Sequence, residues 1–151
     1  RGPGVDPAVD DRLVEHVDVA PTILELLGLP PWQPMRGRSL LAQRERRAPR
    51  RDFAFSEHML GQAIAVRAGT WTAILHRKTT SQFPSYPMRA GRRELWRQAA
   101  HQIRVDPELH PEPARRLDRA LEEFMSDGLG LQAKPAINQD RESLRALGYI
   151  E

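Results

Sequence analysis

Leu13-Val14-Glu15-His16-Val17-Asp18-Val19-Ala20-Pro21-Thr22-Ile23-Leu24-Glu25-Leu26-Leu27-Gly28-Leu29-Pro30 is the stretch on which the reading of the fold turns. Leu13–Val17 sets β-branched residues among polar ones, which predicts a short strand. Asp18 comes next, where a carboxylate can accept orphan backbone N–H groups at a positive helix end, so it is expected to be the N-cap. Pro21 then falls in the first helical turn, where its missing N–H does no harm. Ile23, Leu24, Leu26 and Leu27 supply a broad apolar face, predicting a helix that is largely buried. Gly28 suits a left-handed position past the last turn, and Pro30-Pro31 prevents continuation. On this chemistry Asp18, Pro21 and Gly28 are structural residues.

Outward from this stretch, the chain has 151 residues, enough to bury on the order of two-thirds of its unfolded surface. Thirteen prolines lie mostly outside the periodic stretches and predict much irregular chain. No apolar run approaches the roughly 20 residues of a membrane helix, so no membrane segment is expected. There is no initiator Met, and Arg1-Gly2-Pro3-Gly4 is no signal peptide. A start inside a Gly/Pro loop leads to the expectation of a fragment. Cysteine is absent, which excludes disulfide and thiolate chemistry from these residues and leaves the compartment open between cytoplasmic and periplasmic. The net charge of +3 rests on arginine, since lysine occurs only at Lys78 and Lys134. Seven arginines crowd into Arg36–Arg51. That patch could attract phosphate, yet it has no interleaved aromatics for base stacking, so it reads as a solvated linker with no nucleic-acid partner.

Residues 1–45 form a first unit: a Gly/Pro loop, the strand and helix, then Pro34–Leu41. Residues 46–130 form a second. Asp52–Glu57 alternates aromatic and small residues, as an edge or half-buried strand does. Ala63–Arg67 and Trp71–His76 flank Ala68-Gly69-Thr70, a β-hairpin signal with glycine supplying positive φ. Thr79–Gly91 reads as a loop. Glu94-Leu95-Trp96 begins a strand, although Arg97–Ala100 fits a helix equally well. Pro111-Glu112-Pro113 opens the clearest helix, with Leu117, Ala120, Leu121, Phe124 and Met125 on one stripe and Asp127-Gly128 at its end. Residues 131–151 read as an irregular tail. Hairpin followed by helix makes the second unit α+β.

In order along the chain, several stretches resemble the C-terminal third of a sulfatase, a bacterial arylsulfatase-type member of the alkaline-phosphatase-like superfamily. Val17–Gly28 is similar to the family's Val-Asp-x-x-Pro-Thr helix start, and Gly37-Arg38-Ser39-Leu40-Leu41 to the Gly-x-Ser-Leu that follows it. Ala65-Val66-Arg67 with Gly69 and Trp71 resembles the Val-Arg-x-Gly strand pair of the small C-terminal subdomain. Arg1–Val5 resembles the loop beyond the family's Asp-His metal motif, and Leu144–Ile150 a tail ending of bacterial members. The resemblance implies an α/β fragment: an edge strand and helix of the main sheet in 1–45, then a small subdomain with an antiparallel sheet and C-terminal helix in 46–130. The second unit departs from the pattern. Glu94-Leu95-Trp96 lacks the Asp-Leu that follows in the family, Asp106-Pro107-Glu108 arrives late, and Trp71-Thr72 replaces an aromatic-Lys pair.

The resemblance also implies a chemistry: a formylglycine nucleophile made within Cys/Ser-x-Pro-Ser-Arg, with calcium or another divalent cation holding the sulfate oxygens. Gln82-Phe83-Pro84-Ser85-Tyr86 is the nearest local match and puts Gln at the nucleophile, so it reads as a proline turn. Asp10-Asp11 resembles the family's acidic metal pair but lies on the wrong side of the helix motif, as a surface loop. His16 and Asp18 could place two ligands on one strand face, yet no third stands at a useful spacing. No catalytic residue, metal ligand or cofactor is therefore expected in these residues. The cation and nucleophile are expected in the upstream catalytic part of the same protein, whose substrate would be a sulfated small molecule or glycan. His58, beside a strand start that approaches the active-site mouth in such folds, is the candidate substrate contact. His76, His101 and His110 are expected at the surface. Two alternatives stay open: a phosphodiesterase or phosphotransferase of the same superfamily, and a stand-alone, non-catalytic basic interaction module.

Overall fold

Ala68 and Trp71 pair directly across Gly69-Thr70, so the chain reverses in two residues, with Gly69 at φ +55 where an L side chain is strained. This hairpin centres the sheet. The structure, a computed structural model, describes residues 9–31, 35–45, 47–58, 61–79 and 88–127. The Arg1–Val5 loop, the Gln82–Tyr86 turn and the 131–151 tail lie outside the described residues.

Five strands form one antiparallel meander in chain order: β1 Ala54–Glu57, β2 Ala63–Ala68, β3 Trp71–His76, β4 Arg93–Gln98 and β5 Gln102–Val105. Paired residues point to one face, and the register lines up Phe55, Val66, Ala73, Leu95 and Val105 across all five strands. The long helix Pro111–Ser126, here α3, lies on that face. Its Leu117, Ala120 and Leu121 close a core with Ile64, Val66, Ala68, Ala73 and Leu95. Phe124 stacks on Phe55 with ring centroids 4.1 Å apart, while Met125, expected on the same stripe, is 36% exposed. Arg93 fastens the helix to β4 through Asp118 at 2.8 Å and Glu122 at 3.3 Å. The strand reading of β4 wins over the helical alternative as far as Gln98, and β5 was not anticipated. With two helices before the sheet, the whole is mixed α/β.

The first unit differs from expectation at its start. No strand forms over Leu13–Val17: residues 13–15 join no ladder, and His16–Asp18 is a 3-10 turn running into α1, Val19–Leu26. The polar residues of that stretch make tertiary contacts instead of a pleated face. Glu15 takes the outward-facing N–H of Phe55 on its Oε1 at 2.6 Å, which covers the open edge of β1. Pro21 lies in the first turn of α1 and is buried. Gly28, at φ +68, closes the helix: its N–H donates to Glu25 O at 3.0 Å and that of Leu29 to Leu24 O at 2.8 Å, the two bonds of a Schellman motif. The helix is not largely buried, however. Ile23, Leu26 and Leu27 are 51%, 56% and 66% exposed, because no sheet covers them among the described residues.

A second short helix, α2 (Leu40–Arg44), starts at Ser39, whose hydroxyl accepts the N–H of Leu41 at 3.2 Å. No helix of the described residues is long and apolar enough to cross a membrane.

Candidate functional site

Asp18 is wholly inaccessible to solvent, and four groups converge on its carboxylate. The backbone N–H of Arg38 donates to Oδ1 at 2.7 Å and that of Glu15 to Oδ2 at 2.9 Å. Gln43 Nε2 approaches Oδ2 at 3.4 Å, and the guanidinium of Arg51 pairs with Oδ1. Burial alone would raise this carboxyl, but the N–H groups of Arg38 and Glu15 and the charge of Arg51 outweigh it, so its pKa lies below the ordinary value. Asp18 occupies the residue before α1, yet its side chain makes no capping bond to that helix. Its charge is used across the fold, to join the start of α1 to α2 and to the approach to β1.

The neighbours extend the joint. Thr22 Oγ1 donates to Asp18 O at 2.6 Å and accepts the N–H of Leu40 at 2.9 Å. A Cβ at Gly37 would lie 1.8 Å from the carbonyl oxygen of Val17, so only glycine permits that crossing. The Val-Asp-x-x-Pro-Thr and Gly-x-Ser-Leu stretches are thus two halves of one contact: Asp18 and Thr22 bind the backbone of Arg38 and Leu40. Arg51, placed by composition in a solvated linker, instead reaches inward, pairing with Glu15 at 2.8 Å as well as with Asp18. Between α1 and α2, the Ser39 hydroxyl and the Arg47 guanidinium hold the Glu25 carboxyl below its usual range.

On the sheet face away from α3, β3 and β4 bring together a second polar cluster. Glu94 is buried and takes Arg92 Nε at 3.0 Å, Trp96 Nε1 at 3.1 Å and His76 Nε2 at 3.3 Å. His76 is therefore not a surface residue: it is 2% exposed, paired with Ala63 on β2, its backbone N–H donating to Arg92 O at 2.9 Å and its ring beside Glu94 on the face away from α3. The period-two reading of β3 could have found it, since His76 shares the face of Ile74. His101 is exposed, and His110 packs against Trp71 with ring centroids 5.0 Å apart.

His58 is exposed directly after β1, its backbone N–H bonded to Ala63 O at 2.8 Å. His16 is exposed and Asp18 buried, so they do not share an open face. Asp10 is held by Arg12, which draws its pKa down to about 2. Among the described residues, no group of three or more His, Cys, Asp or Glu side chains stands where it could hold a metal ion. The fit for calcium is poor here: Asp18, the buried carboxylate among the described residues of the first unit, is already met by four donors.

No family model matches the chain, and neither does any curated protein sequence. The structure is similar to that of a Bacteroides thetaiotaomicron sulfatase, described in connection with a core genetic locus for the metabolism of multiple glycosaminoglycans. The match has a TM-score of 0.54 at 17% sequence identity and covers 72% of this chain and 24% of that one. The fold is sulfatase-like, and the chain spans about a quarter of the length of the sulfatase it matches.

Proposed function

We infer that these residues are the C-terminal part of a sulfatase-like hydrolase acting on sulfate esters, with nucleophile and divalent cation supplied by the upstream catalytic part of the same protein. One observation carries the reading. A segment locked in place by a buried carboxylate presents Ile23, Leu26 and Leu27 outward, each more than half exposed. A helix held that firmly with its apolar face uncovered is built to pack on something larger. The sulfatase-like fold, matched to about a quarter of a longer chain, supports a missing sheet as that partner.

On this reading residues 1–45 close the large domain, residues 46–130 form a cleft-lining subdomain, and residues 131–151 are a tail. Asp18, Pro21 and Gly28 hold the junction, and His58 stands where a sulfated small molecule or glycan could be touched. The cation belongs to the parent's site, where it would neutralise sulfate oxygens.

The test is to express the longest reading frame that contains this chain and to measure sulfate release from aryl sulfate and sulfated saccharides. Sulfate release by the long form and none by residues 1–151 is expected. Turnover by residues 1–151 alone, or a long form without a Cys/Ser-x-Pro-Ser-Arg motif, would overturn the reading. Release of phosphate from phosphodiesters instead would assign the same fold to the phosphate-ester branch.

A further inference from the structure

The two edges of the sheet differ. At β1 the carboxylate of Glu15 takes the outward N–H of Phe55, whereas no strand pairs with the outer side of β5 among the described residues. Gln102, Ile103 and Arg104 are exposed there, Ile103 by 52% although it alternates onto the apolar face of Leu95 and Val105. The direction of the backbone along this edge follows from the ladders next to it. Gln98 donates its N–H to Thr70 O at 2.6 Å, and His76 its own to Arg92 O at 2.9 Å. By the antiparallel alternation, Trp96 and Gln98 turn their backbones toward β3, and Leu95 and Arg97 turn theirs toward β5. Val105 and Ile103 stand opposite those two and bond inward. Gln102 and Arg104 therefore point their N–H and C=O groups outward, two donors and two acceptors along an open edge.

We propose that this edge pairs with the same edge of a second copy of the chain, antiparallel about a two-fold axis at Ile103. The side chains select that centre. With the axis at Ile103, Gln102 of each copy meets Arg104 of the partner subunit as a hydrogen-bonded pair. The two reciprocal pairs make four N–H···O bonds and use every outward group of the strand. Between them Ile103 meets Ile103 of the partner subunit as a non-hydrogen-bonded pair, the closer kind, with Cα atoms about 4.5 Å apart. Both isoleucines lie on the α3 side, so the contact covers an exposed apolar side chain in each copy. An axis at Arg104 would set like charges directly opposite, which is destabilising. An axis at Gln102 would run the pairing into the bend at residues 99–101. The edge is thus complementary to itself, and a second copy is the occupant it fits. The product is one ten-stranded sheet with both long helices on the same face. Four residues a side bury less than the roughly 1,200 Å² of a stable interface, so the dimer is a weak one that forms at high concentration. It rests on the sheet alone and stands whether or not the chain belongs to a hydrolase.

The test uses the full 151-residue chain carrying Leu27→Glu, so that the apolar face of α1 does not contribute to association. Sedimentation at rising concentration should show a monomer–dimer equilibrium, weakened about tenfold by Arg104→Pro. Proline at that position removes an outward N–H and leaves the bonds of β5 to β4 in place. The chain has no cysteine, so Ile103→Cys sets a single thiol on the axis. With oxidised glutathione it should form a disulfide-linked dimer about tenfold faster than Arg104→Cys or Arg67→Cys, because only the axial pair brings its Cα atoms within the roughly 4.4–6.8 Å a disulfide spans. A chain that stays monomeric up to about 1 mM would overturn the proposal. So would a dimer indifferent to Arg104→Pro, or linkage of Ile103→Cys no faster than that of Arg67→Cys. Fastest linkage from Arg104→Cys would overturn it by moving the axis. Should Arg104→Pro unfold the edge, the cysteine variants decide alone.

Discussion

Asp18 concentrates the first unit's polar energetics in one side chain. Its carboxylate is satisfied from four directions, so removing it leaves two backbone N–H groups without their acceptor and Arg51 with Glu15 alone to balance its buried charge. Asp18→Ala should cost about 3 kcal/mol, read as a lowered urea midpoint with little change in slope. The pH dependence has a definite sign. The folded carboxyl titrates below its unfolded value of about 3.9, so the unfolded chain binds the extra proton. The stability from this group is complete above that value and is lost as the pH falls through the folded pKa. The gap in urea midpoint between the parent and Asp18→Asn should therefore be constant from pH 7 to about 5 and narrow below 4. Glycines divide by cause. Gly28→Ala meets nothing within 4 Å and should cost about 1 kcal/mol through its backbone alone, whereas Gly37→Ala drives a Cβ into the Val17 carbonyl and should cost about 3 kcal/mol or prevent folding. Thermal melts of the two variants would separate these values.

At the scale of elements, what could be read from the sequence was whatever repeats locally. The 3.6-residue stripe on α3, the Gly69-Thr70 turn and the Gly28 stop are each set by neighbours within a few positions, and all three stand in the structure. Leu13–Val17 has the composition of a strand but no partner to pair with among the described residues, and Glu15 is claimed by Phe55, 40 residues away. Nothing in a local window shows that claim. Arg51 is the same case: nothing in a cluster of seven arginines marks it as one that turns inward, and only the fold does so. β5 escaped notice because four residues with alternating polarity, Gln102–Val105, give too short a period to stand out. Of the structural residues, Pro21 and Gly28 carried a visible signal in helix-start and helix-stop chemistry, whereas Asp18 read as a helix cap and serves instead to bind Arg38, Glu15, Gln43 and Arg51. The His76–Glu94 cluster carried none beyond strand alternation. The helix itself should be docked by its apolar stripe rather than its charges. Leu117→Ala should cost about 3 kcal/mol, while Arg93→Ala, whose ion pairs lie at the surface, should cost under about 1 kcal/mol in the same chemical denaturation series.

For the whole molecule, the uncovered face of α1 sets behaviour in solution. With Ile23, Leu26 and Leu27 outward, the 151-residue chain should self-associate, and Leu27→Glu should reduce light scattering without lowering the unfolding midpoint. Unchanged association in that variant would place the sticky surface elsewhere. The covered edge of β1 has a consequence in time. Every strand of the meander pairs with its neighbour in sequence, so the sheet and α3 can form from near contacts and should form quickly. Glu15 and Asp18 must wait for Phe55 and Arg51, which lie 40 and 33 residues further along, until that sheet exists to receive them. The sheet is then the template and the first unit its late arrival. During synthesis, the first unit leaves the ribosome before the sheet and settles after it.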